Sequence, residues 1–199
     1  MPAFISCDWG TSTFRIRLVD AGSQAILCEV MSNQGVAETH ALWKRVKHEK
    51  KKRFSFYKSY IQSQLERLQE QRKESLIGLP LIISGMVSSS IGMIELPYKE
   101  LPFAMDGSDL EIKINKATCY FRHEVIMISG ARTAHDVMRG EETQLIGCDF
   151  HADVERVYIF PGTHSKHVRV KHQRATGFKT YMTGEFFHLL SNHSILSGS

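Results

Sequence analysis

Apolar and polar positions alternate first between Phe14 and Val19, where Phe14, Ile16 and Leu18 are separated by Arg15 and Arg17. A period of two marks a half-buried strand. The apolar run Ala3 to Cys7 predicts another strand ahead of it, and the polar stretch around Gly10 predicts a hairpin between them. Asp20-Ala21-Gly22-Ser23 reads as a turn and Ala25 to Met31 as a third strand, giving an antiparallel meander. Asn33-Gln34-Gly35 breaks the pattern. Phe54, Tyr57, Ile61, Leu65 and Leu68 then recur at helical spacing, one amphipathic stripe that reads as core.

Leu81-Ile82-Ile83 and Val125 to Ile128 are continuous apolar runs, the form of strands buried on both faces of a parallel sheet. Glu111 to Asn115 and Thr118 to Phe121 read as short strands. Met138 to Gly147 predicts a helix whose first turn holds Glu141 and Glu142, where the macrodipole favours acids by about 0.3–1 kcal/mol. Val157 to Phe160 is a strand, Pro161 to Lys166 a tight turn, and His167 to Val170 alternate again. Gly177 to Tyr181 and a helix from Thr183 to Leu190 follow. Superposing Gly10-Thr11 on Gly162-Thr163 brings Ile16-Arg17-Leu18 onto Val168-Arg169-Val170 without a gap. The pattern is therefore a duplicated βββα unit. It predicts an α/β protein with two like domains facing a cleft, 1–150 and an incomplete 151–199.

The chain has 199 residues, enough for one large or two small domains. Its 42% hydrophobic and 23% charged residues are those of a globular protein. No apolar run reaches the ~20 residues of a membrane span, and the start lacks the basic-then-apolar pattern of a secretory signal. Cys7, Cys28, Cys119 and Cys148 are widely spaced and read as reduced, mostly buried thiols, so the expected location is cytoplasmic. Asn192-His193-Ser194 fits a glycosylation pattern that has no meaning without secretion. The net charge is +4, and much of the excess lies between Lys44 and Arg53. No stacking aromatics alternate with those charges, which favours a solvated linker and helix start over a nucleic-acid patch. His164, His167 and His172 lack a zinc spacing, and His188 and His193 suit helix-end contacts.

Candidate chemistry gathers at the two turns. Gly10 lets a ligand approach, Thr11, Ser12 and Thr13 offer the donors a phosphate needs, Asp8 can hold a divalent cation, and Arg15 adds positive charge. The competing interpretation is an ordinary polar turn; recurrence of the device at Gly162-Thr163 tells against it. One hairpin carries an acid and the other does not, which suits a nucleotide whose phosphates lie between the two, with a cation on one side. Ser84-Gly85-Met86 follows a buried strand, where ligands collect in open α/β sheets, although a flexible Ser/Gly loop reads the same way.

Several strings resemble a known family in order along nearly the whole chain. They are Asp8-Trp9-Gly10-Thr11-Ser12, Gly35-Val36, Ser84-Gly85-Met86-Val87 through Glu95-Leu96-Pro97-Tyr98, Val137 through Gly147, Pro161-Gly162-Thr163-His164-Ser165-Lys166, and Met182-Thr183-Gly184-Glu185 through Asn192-His193-Ser194. The chain resembles the N-terminal two-thirds of the 2-dehydro-3-deoxygalactonokinases, within the actin/hexokinase/Hsp70-like superfamily. The resemblance implies two ribonuclease-H-like (actin-like ATPase) domains, ATP and Mg²⁺, and phosphorylation of the C6 hydroxyl of a keto-deoxy sugar acid in galactonate breakdown. It also implies that family members continue past Ser199, where the second domain would be finished.

By that resemblance Asp8 positions Mg²⁺, and Gly10, Thr11, Ser12 and Thr13 with Gly162, Thr163 and Lys166 hold the phosphates. Glu141 is the expected base, with Glu142 the alternative. Arg15, Ser84, Gly85, Met86, Glu95, Tyr98 and Arg139 are expected at the substrate; Arg139 would meet its carboxylate or else form a structural ion pair. The expected partners are a small sugar acid and, as an open option, a second copy in a homodimer; no nucleic acid and no membrane are expected. The alternative function is a truncated or degenerate fragment that binds the sugar acid without turnover.

Overall fold

The computed structural model describes residues 2–46, 53–148 and 154–198. In chain order the elements are β1 (Ala3–Trp9), β2 (Phe14–Asp20), β3 (Ile26–Ser32), α1 (Val36–Arg45), α2 (Arg53–Arg72), β4 (Leu81–Gly85), β5 (Lys99–Glu100), β6 (Phe103–Ala104), β7 (Ile112–Asn115) and β8 (Val125–Ile128). They continue with β9 (Ala131–Arg132), β10 (Val137–Met138), α3 (Glu141–Ile146), β11 (Arg156–Phe160), β12 (Ser165–Lys171), β13 (Arg174–Tyr181) and α4 (Thr183–His193). Both sheets and helices are present throughout, a mixed α/β fold. The chain divides into two compact units, Met1–Pro97 with Glu111–Gly130, and Tyr98–Leu110 with Ala131–Ser199. This differs from a linear division at residue 150, because the chain leaves the first unit at Tyr98 and returns at Glu111.

In the first unit one six-stranded sheet runs β3-β2-β1-β4-β8-β7. The β1–β2–β3 meander is antiparallel, β1, β4 and β8 are parallel, and β7 closes the edge antiparallel. Ile5, Cys7 and Trp9 of β1 and Phe14, Ile16 and Leu18 of β2 put their apolar side into one core with Tyr57, Ile61, Leu65 and Leu68 of α2. Trp9 meets the Phe14 ring edge-on at 5.0 Å, and its Nε1–H donates to the Gln34 carbonyl at 3.2 Å. The helical stripe thus packs as its spacing predicts. The runs in β4 and β8 do not: Ile82, Ser84, Ile126 and Ile128 are only half-buried, so one face of the sheet is dry and the other is not.

Three further expectations differ. The sequence pattern predicts no helix ahead of the basic segment that starts at Lys44, yet α1 forms from Val36 to Arg45 and buries Val36, Thr39 and Trp43. Its three inward residues are too few and too mixed to register as a stripe. The basic segment contributes Lys44 and Arg45 to the end of α1 and Arg53 to the start of α2, where Arg53 donates to the Ser90 carbonyl at 2.8 Å; positions 47–52 lie outside the described residues. Thr118 to Phe121 is a turn closed by a single bridge, not a strand. All four cysteines are free, but only Cys7 is buried, and Cys119 is exposed.

In the second unit a four-stranded sheet runs β11-β12-β13-β6 and a three-stranded one β10-β9-β5. Phe103, Met105, Met138, Leu145, Val168 and Phe178 form its core. The βββα order recurs as β11-β12-β13-α4, with one change in the hairpin. Trp9 pairs with Phe14 across Gly10 to Thr13, whereas Phe160 pairs with Lys166 across a loop one residue longer. The slip turns β11 over relative to β1: Cys7 lies opposite Ile16 in the core, while Ile159 lies opposite His167 and is 58% exposed. Helix α4 buries no side chain, and Phe187 is 73% exposed. Among the described residues no helix is long and apolar enough to cross a membrane.

Both tryptophans lie in the first unit, so their fluorescence reports its unfolding. Leu68 is fully buried beneath the sheet. Leu68→Ala is expected to cost about 2–5 kcal/mol in urea unfolding followed by tryptophan emission, and a change below 1 kcal/mol would contradict this packing.

Candidate active site

The first hairpin is defined by where its carbonyls go. The Gly10 N–H donates to the Thr13 carbonyl at 2.9 Å and closes the turn. The Gly10 carbonyl accepts the Val36 N–H at 2.9 Å and the Thr11 carbonyl accepts the Ala37 N–H at 3.1 Å, so the first turn of α1 is bonded to the hairpin. Thr11, Ser12 and Thr13 are exposed.

Asp8 lies on the wetter face of the sheet, opposite Arg15 on β2 and Ser84 on β4. Burial pushes its carboxyl above the usual range, and the charges of Arg15 and Arg17 partly oppose that. Both arginines lean to Glu29: Arg17 Nε is hydrogen-bonded to its carboxylate, and Arg15 Nε stands 3.7 Å away, buried and without a hydrogen bond. Gly85 follows at φ +93°, and a Cβ there would lie 2.7 Å from the Trp9 carbonyl oxygen and 3.4 Å from Asp8 Oδ1. The Asp8 carboxylate therefore leans over a backbone that only glycine can supply. Strand pairing brings Asp8, Arg15, Ser84 and Gly85 together. Met86 opens a 3-10 turn to Ser88 and is half-buried against the core, and Glu95 is exposed.

In the second unit the Arg139 guanidinium lies 4.1 Å from the centre of the Tyr98 ring, a cation–π contact made by a buried arginine. Glu141 Oε2 accepts the Arg139 N–H at 3.0 Å. Both Glu142 oxygens lie 2.8 Å from the Gly140 nitrogen, so each acid folds back over the start of α3. Their surroundings differ. Glu141 is half-buried, whereas Glu142 is fully buried, and burial pushes its carboxyl up to about 8 despite the Gly140 N–H.

The second hairpin repeats the bonding of the first. The Gly162 carbonyl accepts the Gly184 N–H at 3.2 Å and the Thr163 carbonyl accepts the Glu185 N–H at 3.1 Å, both from the first turn of α4. His164 Nε2 is hydrogen-bonded to the Glu185 carboxylate. Lys166 is turned inward: it is 7% exposed, and its ammonium donates to Thr180 Oγ1 at 2.6 Å. Thr180 in turn donates its hydroxyl and N–H to the Asp136 carboxylate at 2.8 and 2.9 Å. Lys166 thus anchors the base of the turn in this conformation. Asp136, Thr180 and Glu29 carry no local signal, since each meets its partner across a strand pair or loop; Glu185 lies in the Met182 to Glu185 string, but its bond to His164 is set by the fold. Among the described residues no cluster of three or more His, Cys, Asp or Glu could hold a metal.

Folded Glu142 keeps its proton at pH values where the unfolded chain, with a carboxyl near 4.5, has released it. Stability is therefore expected to fall as pH rises from about 4.5 to about 8 and to level off above. Thermal unfolding of wild type and Glu142→Gln across that range checks this; the amide variant should lose this part of the slope, and parallel curves would contradict the assignment.

Comparison with known proteins places these features. A profile of the 2-keto-3-deoxy-galactonokinase family matches residues 8–199. "Probable 2-dehydro-3-deoxygalactonokinase DgoK1" of Rhizobium meliloti (strain 1021) is 32% identical over 201 residues, 98% of this chain and 58% of that protein. The 2-dehydro-3-deoxygalactonokinase of Escherichia coli (strain K12) is 38% identical over 121 residues, 59% of this chain and 39% of that one. A crystal structure from Sinorhizobium meliloti, assigned to 2-dehydro-3-deoxygalactonokinase, superposes with a TM-score of 0.71 at 29% identity, over 98% of this chain and 59% of that one. The chain thus spans less than two thirds of the length of these relatives. With both hairpins and the Arg139 to Glu142 turn inside the matched region, the chain belongs to the 2-keto-3-deoxy-galactonokinase family.

Proposed function

We propose that this chain carries the phosphate- and substrate-handling residues of a cytoplasmic, ATP-dependent 2-dehydro-3-deoxygalactonokinase. The reaction would place a phosphoryl group on the C6 hydroxyl of 2-dehydro-3-deoxy-D-galactonate during D-galactonate breakdown. The observation that carries this reading is the family match over residues 8–199. The strand order β3-β2-β1-β4-β8, with its antiparallel meander and parallel continuation, supports a ribonuclease-H-like frame for the first unit.

The residues present suit a magnesium nucleotide. Magnesium keeps several waters and commonly takes one or two carboxylates plus phosphate oxygens, not a protein cage. One half-buried acid whose carboxyl is raised by burial, beside exposed hydroxyls, fits that habit; a nearby cation would offset the cost of ionising Asp8 there. When bound, ATP supplies the γ-phosphoryl group and Mg²⁺ neutralises charge on its phosphate oxygens. Asp8 would hold the cation through water, while Thr11, Ser12 and Thr13 donate hydrogen bonds to phosphate. Thr163 would do the same in the second unit, where Gly162 leaves open space for a phosphate and Lys166 supports the turn through Thr180.

Glu141 is the proposed base. It would accept the proton of the sugar hydroxyl as the hydroxyl oxygen bonds to phosphorus and ADP departs. Glu142, fully buried and uncharged near neutral pH, would hold the Gly140 backbone that presents Glu141. Arg139, stiffened by Tyr98, is the second unit's candidate for a substrate carboxylate, and Arg15, Ser84, Gly85, Met86 and Glu95 are the first unit's candidates for substrate contact.

A coupled assay with ATP, Mg²⁺ and 2-dehydro-3-deoxy-D-galactonate tests this reading: ADP release should depend on the sugar acid. Sugar-acid binding with no ADP release would leave a binding fragment. Glu141→Gln is expected to lower kcat by about 10²–10⁴-fold, about 3–5 kcal/mol of barrier at 1.36 per decade. Turnover near that of the wild type would remove Glu141 from the role.

A further inference from the structure

We infer that Gly35 and Gly184 are positioning residues: each lets a helix take hold of hairpin carbonyls, and that hold turns the hairpin's N–H groups outward to meet phosphate. The inference deepens the proposed function and rests on its phosphate-binding part alone.

The argument begins with the peptide plane. A trans peptide is rigid, and its N–H points opposite to its C=O. The Gly10 carbonyl shares a plane with the Thr11 N–H, and the Thr11 carbonyl with the Ser12 N–H. Because both carbonyls are tied to the first turn of α1, both N–H groups must point away from that helix. Neither donates to any acceptor among the described residues, and both residues are exposed. The second unit does the same: the Gly162 and Thr163 carbonyls are tied to α4, which turns the Thr163 and His164 N–H groups outward. Two adjacent outward N–H groups on a fixed turn make an anion-binding concavity.

The helices benefit as well. The first N–H groups of a helix have no partner within it. Neither α1 nor α4 has a side-chain cap, and the hairpin carbonyls fill that place. Each side of the contact therefore satisfies the other, which is how one short turn can be held in a single orientation.

The contact needs glycine for space, not for backbone freedom. Gly35 has φ −72° and ψ −178°, extended backbone open to any residue. A Cβ at Gly35 would lie 2.2 Å from the Thr11 carbonyl oxygen, and one at Gly184 would lie 2.7 Å from that of Gly162. Both obstacles are backbone atoms of the hairpin itself, so an added methyl must push the helix off the turn. In each repeat a glycine at the start of the helix packs against hairpin backbone: Gly35 stands one residue ahead of the first donating N–H, and Gly184 supplies that N–H itself.

The test uses the ¹⁵N-labelled chain and inorganic phosphate as the probe. In the wild type, the amide resonances of Thr11, Ser12, Thr163 and His164 should shift saturably with phosphate. Val36→Pro replaces the N–H that the Gly10 carbonyl accepts with a ring carbon, which breaks the contact, at a first helical position whose φ suits proline. It should weaken the Thr11 and Ser12 response about tenfold or more. Val36→Ala trims the same side chain but keeps the N–H, and should retain the wild-type response; Gly35→Ala and Gly184→Ala should each weaken the hairpin they face. Absence of phosphate-dependent shifts in the wild type overturns the inference, as does a Val36→Pro response equal to that of Val36→Ala. Failure of the kinase reading alone would look different, with the amides still answering to phosphate while no sugar-acid-dependent ADP appears.

Discussion

A carbonyl held on one side of a planar peptide commits the N–H on the other side, and this constraint governs both hairpins. A turn rich in Gly, Ser and Thr has many accessible conformations, most of which scatter its donors. Here the meander brings the chain back so that a helix starts directly behind the turn. Its unpaired N–H groups seize two successive carbonyls. The fold supplies orientation, and the residues at the turn need only be small and hydrogen-bonding. The recurrence of this contact at Gly10–Val36 and Gly162–Gly184 is structural support for duplication beyond the shared spacing of β-strand residues.

Environment divides the acids in the same economical way. Asp8 sits on the half-wet face of the sheet, where burial raises its carboxyl above the usual range and two nearby arginines partly oppose that. Glu141 and Glu142 are neighbours on one helical turn, yet only one is sealed from water, and burial keeps its proton on. A helix N-terminus alone favours an acid by less than about one pKa unit. Burial is the larger effect and keeps the proton on Glu142.

Much of the frame was legible in the chain. Period-two runs gave β2 and β12 and the Tyr57 to Leu68 stripe gave α2, because these elements bury one face only and their pattern records it; β1 was read from the apolar run Ala3 to Cys7. Helix α1 was hidden because it contributes few apolar contacts and owes its start to hairpin carbonyls that lie far away in sequence. The one-residue slip at Phe160–Lys166 was also hidden: a gapless superposition aligns β12 on β2, yet the longer loop turns β11 over. At the site, the hairpins and the Arg139 to Glu142 turn were readable as local strings. Lys166 was not, since its inward bond to Thr180 and Asp136 follows from strand pairing, not from its place in the motif. Nor could the burial of Glu142 be told from that of Glu141 by position in a helical turn.

Hydrogen–deuterium exchange of the chain with and without Mg·ADP tests most directly whether the outward amides meet phosphate. The account predicts slowed exchange at Thr11 and Ser12 and at Thr163 and His164, with little change at amides already bonded within β1 and β2. Nucleotide binding that leaves those four amides exchanging as freely as before would contradict it.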